Sequence, residues 1–232
     1  MAGSLLRVAT WNIHMAIGQD GQRNLQRTAE VIRAMNPDLI GLQEVDNRID
    51  EHGNDLDSLG HLTGLECVSG PTMQRSDGDY GNALLTRLPV KDIERYEISV
   101  PGREPRGLLI VNLESDRASL QVAVTHLGLR PGERRVQVRK LVDLLAACDR
   151  APLILMGDFN EWLFWGRPLR WLRAHFGQIR SPATFPSRWP LLRLDHILSD
   201  PPERLVSLAA YQLPLARQAS DHLPLMASYW LG

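Results

Sequence analysis

Long apolar runs, clustered cysteines and blocks of like charge are all missing from this chain, and each absence excludes a class of protein. No apolar stretch approaches the ~20 residues that a membrane-spanning helix needs. The two cysteines, Cys67 and Cys148, lie far apart. They form neither a disulfide framework nor a metal-binding knuckle, and read as buried thiols in a reducing compartment. Lysine and arginine number 26 against 27 acidic residues, a net charge of -1. That balance gives no general attraction to nucleic acid, whose binding depends on neutralising phosphates. There is no Ser/Gly-rich linker, low-complexity tract or internal repeat, so residues 1–232 are expected to form a single domain. Met1-Ala2-Gly3-Ser4 passes at once into the strand-like Leu5–Ala9. This is not the layout of a secretion signal, and a cytoplasmic location is expected.

One absence is local. From Trp162 to Leu194 there is no Asp or Glu, but there are six arginines (167, 170, 173, 180, 188 and 193) and four tryptophans (162, 165, 171 and 189). An anionic partner would meet the protein there. The plainer alternative is that Trp162, Trp165 and Trp171 pack a helix against a sheet while the arginines face water.

Elsewhere, strand-length apolar runs punctuate the chain: Leu6–Trp11, Leu39–Gln43, Ala83–Thr86, Leu108–Leu113, Leu120–Thr125, Leu153–Met156, Leu194–Leu198 and Leu225–Tyr229. Two helical patterns lie between them. Leu25, Ala29, Ile32 and Met35 follow Asn24 as N-cap and stop at Pro37, while Val138, Leu141, Val142 and Leu145 follow Pro131-Gly132. A weaker third pattern runs from Pro168 to His175. Strand-helix-strand comes first, then a strand-rich stretch, then helix-strand again. Neighbouring strands without intervening helices pair antiparallel, so two mixed sheets packed face to face with helices outside are expected. The acidic stretch Asp46–Asp57 reads as a solvated loop.

Polar residues collect where the apolar runs end. Thr10-Trp11-Asn12-Ile13-His14 closes the first strand and Leu42-Gln43-Glu44-Val45 the second. A parallel strand-helix-strand unit brings both ends to one edge, so Asn12 and Glu44 can converge. Hard divalent cations take oxygen ligands and few carboxylates. Glu44 therefore suits a direct ligand, with Asn12 either a neutral ligand or a residue that orients it. Gly157-Asp158-Phe159-Asn160 follows a buried-looking run, where an unpartnered carboxylate is costly. Asp158 and Asn160 can face one side and hold a water or a phosphate oxygen, or form a simple Asx turn. In Leu194-Asp195-His196-Ile197-Leu198, alternation puts only one of the pair toward the site, and Asp195 is chosen. Asp195 behind His222 would fix the imidazole's tautomer and raise its basicity, leaving Asp221 for the metal. His14, His52, His61 and His175 are assigned no function, though His14 lies close enough to Asn12 to line the pocket.

These segments, with Tyr80-Gly81-Asn82-Ala83-Leu84-Leu85-Thr86-Arg87 and Thr125-His126-Leu127, resemble the ordered motif series of the endonuclease/exonuclease/phosphatase superfamily from residue 8 to about 228. The resemblance implies an α/β fold, a four-layer α/β/β/α sandwich of two mixed, deoxyribonuclease-like sheets. It also implies Mg²⁺- or Mn²⁺-dependent cleavage of phosphoester bonds. Carried over by position, Glu44 falls on the metal ligand, with Asn12 and Asp221 completing the site. His222 falls on the phosphate-contacting histidine, Asp195 on its orienting carboxylate, and Asp158 with Asn160 on the residues that align the attacking water. His126 matches an imidazole that stabilises the transition state, and Asn82 a supporting position. Whether Asp158 or His222 is the general base stays open.

The branch is less defined. Glu161-Trp162 after Gly-Asp-Phe-Asn departs from the inositol-polyphosphate phosphatase pattern, and the short chain leaves little room for insertions that clasp duplex DNA. Arginine binds phosphate bidentately and tryptophan favours membrane interfaces. Asn82, Arg188 and Trp162 are the candidate substrate contacts, and segment 162–193 a candidate site of peripheral membrane contact. An anionic phospholipid headgroup or other small phosphodiester is therefore expected as substrate. DNA or RNA, and a catalytically silent binding module, are the alternatives.

Overall fold

Side chains of the central strands are apolar on both faces, so each sheet must be covered on both sides. The computed structural model describes residues 5–51, 53–114, 118–147, 152–178 and 181–231. In chain order the strands are β1 (Leu5–Asn12), β2 (Leu39–Asp50), β3 (Gly53–Asn54), β4 (Glu66–Arg75), β5 (Gly78–Thr86), β6 (Val90–Glu97), β7 (Gly107–Glu114), β8 (Ser119–His126), β9 (Leu153–Asp158), β10 (Asp195–Asp200), β11 (Leu205–Ala210) and β12 (Leu225–Trp230). The helices are α1 (Leu25–Met35), α2 (Asp55–Thr63), α3 (Pro131–Ala146), α4 (Arg167–Phe176) and α5 (Pro214–Ala219). One sheet runs β11-β12-β1-β2-β5-β4 with β3 beside β2, and the other runs β10-β9-β8-β7-β6.

Burial follows the two-residue strand period. Val8, Leu39, Leu84, Val111, Val124 and Met156 meet between the sheets. Their neighbours Ala9, Ile40 and Leu85 face outward beneath Ile32 and Met35 of α1, Leu59 of α2 and Ala216 of α5. Ile110, Ala123 and Leu155 face α3 and α4 through Val138, Leu141, Leu172 and Phe176. The result is the four-layer α/β/β/α sandwich. Each such aliphatic side chain contributes ~1.5–3 kcal/mol by leaving water.

Local chemistry sets the ends of the elements. Asn24 caps α1 by accepting from the Arg27 amide, and Asn36 closes it in a left-handed conformation just before Pro37. The stretch Asp46–Asp57 is not a solvated loop. β2 continues to Asp50, and Asn54 caps α2 by accepting from the Asp57 amide. The Asp46 carboxylate is buried against Arg48 and Arg75, each at 2.8 Å. Its charge is matched by guanidinium groups rather than by water.

Both sheets contain one parallel pair, β1/β2 and β8/β9, each joined by a helical crossover. Parallel strands end at the same edge. Asn12 therefore lies opposite Gln43, and His126 opposite Asp158. β10 runs antiparallel to β9 and starts with Asp195 opposite Asp158. The candidate site residues collect at these strand ends.

Candidate active site

A bulge in β2 between Leu42 and Val45 turns Glu44 out of the ladder at φ 55°. Asn12, one strand away, donates from Nδ2 to Glu44 Oε1 at 2.9 Å and to Asp158 Oδ2 at 3.1 Å. Its own Oδ1 accepts from the His14 amide at 3.0 Å. Its NH₂ group thus tethers two carboxylates while its oxygen is engaged by the backbone.

Asp158 is almost completely buried and also accepts from the Asn160 amide at 2.9 Å. Gly157 permits the approach, because a Cβ there would lie 1.8 Å from the Thr125 carbonyl at a φ of +145°. Burial pushes the Asp158 carboxyl up to about 7, against the opposing pull of His222.

His222 Nδ1 lies 2.8 Å from Asp195 Oδ2, and Nε2 lies 3.6 Å from Asp158 Oδ2. Thr184 donates to the same Asp195 oxygen, and the Phe185 ring packs on the imidazole at 4.8 Å. Burial alone would lower His222, but Asp195 and Asp158 raise it to about 10. The neighbouring His196 takes the opposite face of β10, with Nδ1 2.8 Å from Ser181 Oγ and its ring on Phe159.

His126 Nε2 sits 3.0 Å from Asn160 Nδ2, 3.5 Å from Asp158 Oδ2 and 3.9 Å from Glu44 Oε1. The same Asn160 amide group donates to the Leu127 carbonyl at 2.9 Å, which fixes its orientation and makes His126 Nε2 an acceptor. Burial, Arg106 and His222 all push the His126 pKa well below its ordinary value. In this arrangement His126 Nε2 accepts a hydrogen bond from Asn160.

These groups open into a pocket of about 370 Å³ whose walls include Glu44, His126, Asp158, Asn160, Asp221 and His222. Asp221 is half-buried, 3.9 Å from His14 Nδ1. Trp162 reaches the wall, with the Arg134 guanidinium 5.3 Å from its ring centre. Two expected contacts lie outside it. Asn82 turns inward to the Gly107 carbonyl at 3.3 Å, tying β5 to β7 of the other sheet. Arg188 is exposed on the turn after Pro186. His52 and Cys148 lie outside the described residues, Arg180 likewise. His61 is exposed on α2, and Cys67 is a half-buried free thiol that burial pushes up to about 12.

Arg106, Glu104 and Tyr80 also line the pocket and were not foreseen. Arg106 is buried, with NH1 2.8 Å from Glu104. The only sequence signal was an arginine two residues from a glutamate in the Pro/Gly-bounded stretch Pro101–Gly107.

A family model for the endonuclease/exonuclease/phosphatase family matches residues 9–222. The chain belongs to that family. A relative, YbhP of Escherichia coli strain K12, itself uncharacterized, is 30% identical over 249 aligned residues, covering 97% of this chain and 96% of its own. Two solved structures share the family fold. An endonuclease/exonuclease/phosphatase family protein from Bacteroides thetaiotaomicron matches with a TM-score of 0.82 at 16% identity, over 100% of both chains. The human Nocturnin catalytic domain with bound sulfate matches at 0.75 and 23%, over 97% of this chain and 93% of that one.

Divalent metal use in the family can be tested against the donors present. Asp158, Asp195 and His222 form a cluster with ligand atoms within 4.8 Å of one another, and all three are buried. Asp195 Oδ2, however, is already taken by His222 and Thr184. Glu44 and Asp221 offer hard oxygens from the pocket walls, with side chains 20% and 36% exposed. The donor set, a buried Asp158–Asp195–His222 cluster with the Glu44 and Asp221 carboxylates on the pocket wall, fits a divalent cation.

Proposed function

We propose that the protein is a metal-dependent phosphodiesterase that hydrolyses a phospholipid-type or other small phosphodiester by in-line attack of water on phosphorus. The observation that carries this reading is the chain of contacts Asp195–His222–Asp158, which opens into the same pocket as Glu44 and Asp221. Glu44 and Asp221 would hold Mg²⁺ or Mn²⁺, with Asn12 aiming Glu44. Bound there, the ion supplies positive charge against the phosphate oxygens.

The remaining groups divide the work. Asp195 holds His222 as an imidazolium, so His222 Nε2 donates to a phosphate oxygen. The raised Asp158 carboxyl suits proton acceptance from the attacking water near neutral pH, with Asn160 fixing its orientation. Arg106 adds a guanidinium to the wall, which favours an anionic substrate. The stretch from Trp162 to Leu194, rich in arginine and free of acid, supports a lipid-type headgroup over duplex DNA.

The test is Mg²⁺-dependent hydrolysis of anionic phospholipid vesicles, a soluble aryl phosphodiester and plasmid DNA side by side, with His222→Ala as control. Lipid or soluble-diester cleavage that disappears in the variant supports the reading. Cleavage of DNA alone makes the protein a nuclease. Metal uptake without turnover of any substrate leaves a silent binding module.

A further inference from the structure

Two loops flank the mouth of the pocket, and both hold large apolar side chains in water. The first, residues 161–166, exposes Trp162, Leu163, Phe164 and Trp165, the last at 72%. The second, residues 186–192, exposes Trp189 and Leu191, each at 78%. A cleft of about 350 Å³ runs between them, walled by Phe164, Leu169 and Leu191, and it shares Trp162 and Leu192 with the catalytic pocket. Isolated exposed apolar residues need no explanation, but a contiguous patch beside an active site does.

Both loops are braced from beneath. Glu161 is buried, pairs with the buried Arg134 at 3.2 Å and accepts from the Leu163 amide at 3.1 Å. The Gly166 amide then bonds back to the Leu163 carbonyl at 2.7 Å. In the second loop the Trp189 amide bonds to Pro186 at 3.1 Å, and Arg217 donates to the Ser187 and Arg188 carbonyls at 2.9 Å each. The exposed rings are therefore carried on ordered supports rather than on slack chain.

Charge identifies the occupant. Arg173 and Arg193 lie over the Phe164 ring at 4.2 Å and 5.7 Å, and Arg167, Arg170 and Arg188 are exposed on the same acid-free segment. Indole rings prefer the headgroup level of a bilayer, and arginines favour an anionic leaflet. The aliphatic Leu163 and Leu191, with exposed Leu129 at the pocket wall, gain from hydrocarbon but nothing from stacked bases.

We propose that the 161–166 and 186–192 loops form an interfacial docking surface that seats the protein on an anionic bilayer, with the cleft between them opening the catalytic pocket to the lipid. This deepens the phosphodiesterase reading and rests on it only for what happens to the headgroup. Binding itself is independent of turnover.

The experiment is co-sedimentation of the full chain with equimolar phosphatidylglycerol/phosphatidylcholine vesicles and with pure phosphatidylcholine vesicles, reading tryptophan fluorescence alongside. Wild type should bind the anionic vesicles, with a blue shift, and release as salt rises. Trp165→Ala/Trp189→Ala should weaken binding about tenfold or more while leaving hydrolysis of a soluble aryl phosphodiester unchanged. Trp230→Ala is the control: Trp230 is also exposed, but it pairs with Leu5 at the end of β1 away from Asn12, and its loss should change nothing. Equal binding by the double variant, no binding by wild type, or binding to single-stranded oligonucleotide instead of vesicles would overturn the proposal. Vesicle binding without turnover of any phosphodiester would overturn the phosphodiesterase reading and leave the docking surface standing.

Discussion

Asp195→Asn keeps the shape behind His222 and removes its charge, so it isolates what that carboxylate contributes. In the folded protein His222 is raised from 6.5 to about 10, with Asp195 the largest of the three carboxylate influences, ahead of Asp158 and Asp221, that overcome burial. That rise corresponds to a preference of ~5 kcal/mol for the imidazolium. A histidine raised on folding contributes stability fully present below its unfolded value and lost as pH climbs through the folded one. Asp158, raised to about 7, has largely finished titrating by then. Between about pH 7 and about pH 10 the metal-free protein should therefore lose ~1.4 kcal/mol per pH unit through His222, or ~4 kcal/mol in all. Asp195→Asn should end that decline at a lower pH and at least halve the total loss. Urea unfolding in EDTA across this range measures it, and comparing the variant with wild type cancels groups common to both, such as the raised Cys67 thiol. Parallel stability curves would refute the assignment of Asp195 as the group that holds the proton on His222.

Other perturbations test separate parts of the structure. Glu44→Gln should weaken Mn²⁺ binding by calorimetry at least as much as the ~10–100-fold typical of outer-shell changes, while the melting temperature of the metal-free protein moves little. His196 is depressed to about 4 by burial, so its contribution is complete above 6.5 and should fade by up to ~3 kcal/mol as pH drops toward 4. His196→Phe should flatten that acid limb in thermal scans. Gly157→Ala, which would drive a Cβ into the Thr125 carbonyl, should cost ~3 kcal/mol or more in urea unfolding, far beyond the usual effect of an added methyl.

Most strands foreseen in the sequence are apolar and buried along much of their length, and three of those overlooked have a common cause. β4, β6 and β11 are edge or near-solvent strands, and Val90-Lys91-Asp92-Ile93-Glu94-Arg95 offers only a half-buried alternation. α2 was hidden because Asp55 and Asp57 in its first turn resemble loop composition, although acid there favours the helix dipole. At the site, alternation along β10 was enough to separate Asp195 from His196, and the structure puts them on opposite faces. Arg106 was not legible, because its burial depends on how the 98–106 connection folds over the pocket. The acceptor state of His126 was hidden too, since it follows from a bond between Asn160 and the Leu127 carbonyl.

Two segments far apart in sequence meet at the pocket. Trp11 Nε1 donates to the His222 carbonyl at 2.9 Å, and Ser220 Oγ to the Asn12 carbonyl at 2.8 Å, contacts that span 211 and 208 residues. On a ribosome, Asn12 and Glu44 emerge long before Asp221 and His222. A nascent chain can therefore assemble the first sheet's central strands and much of the second without owning a complete site. The pocket is complete only when β12 pairs with β1. A chain stalled before residue 222 lacks His222 and with it the Asp195–His222 contact, so the pocket is assembled only after both of these distant segments have been made.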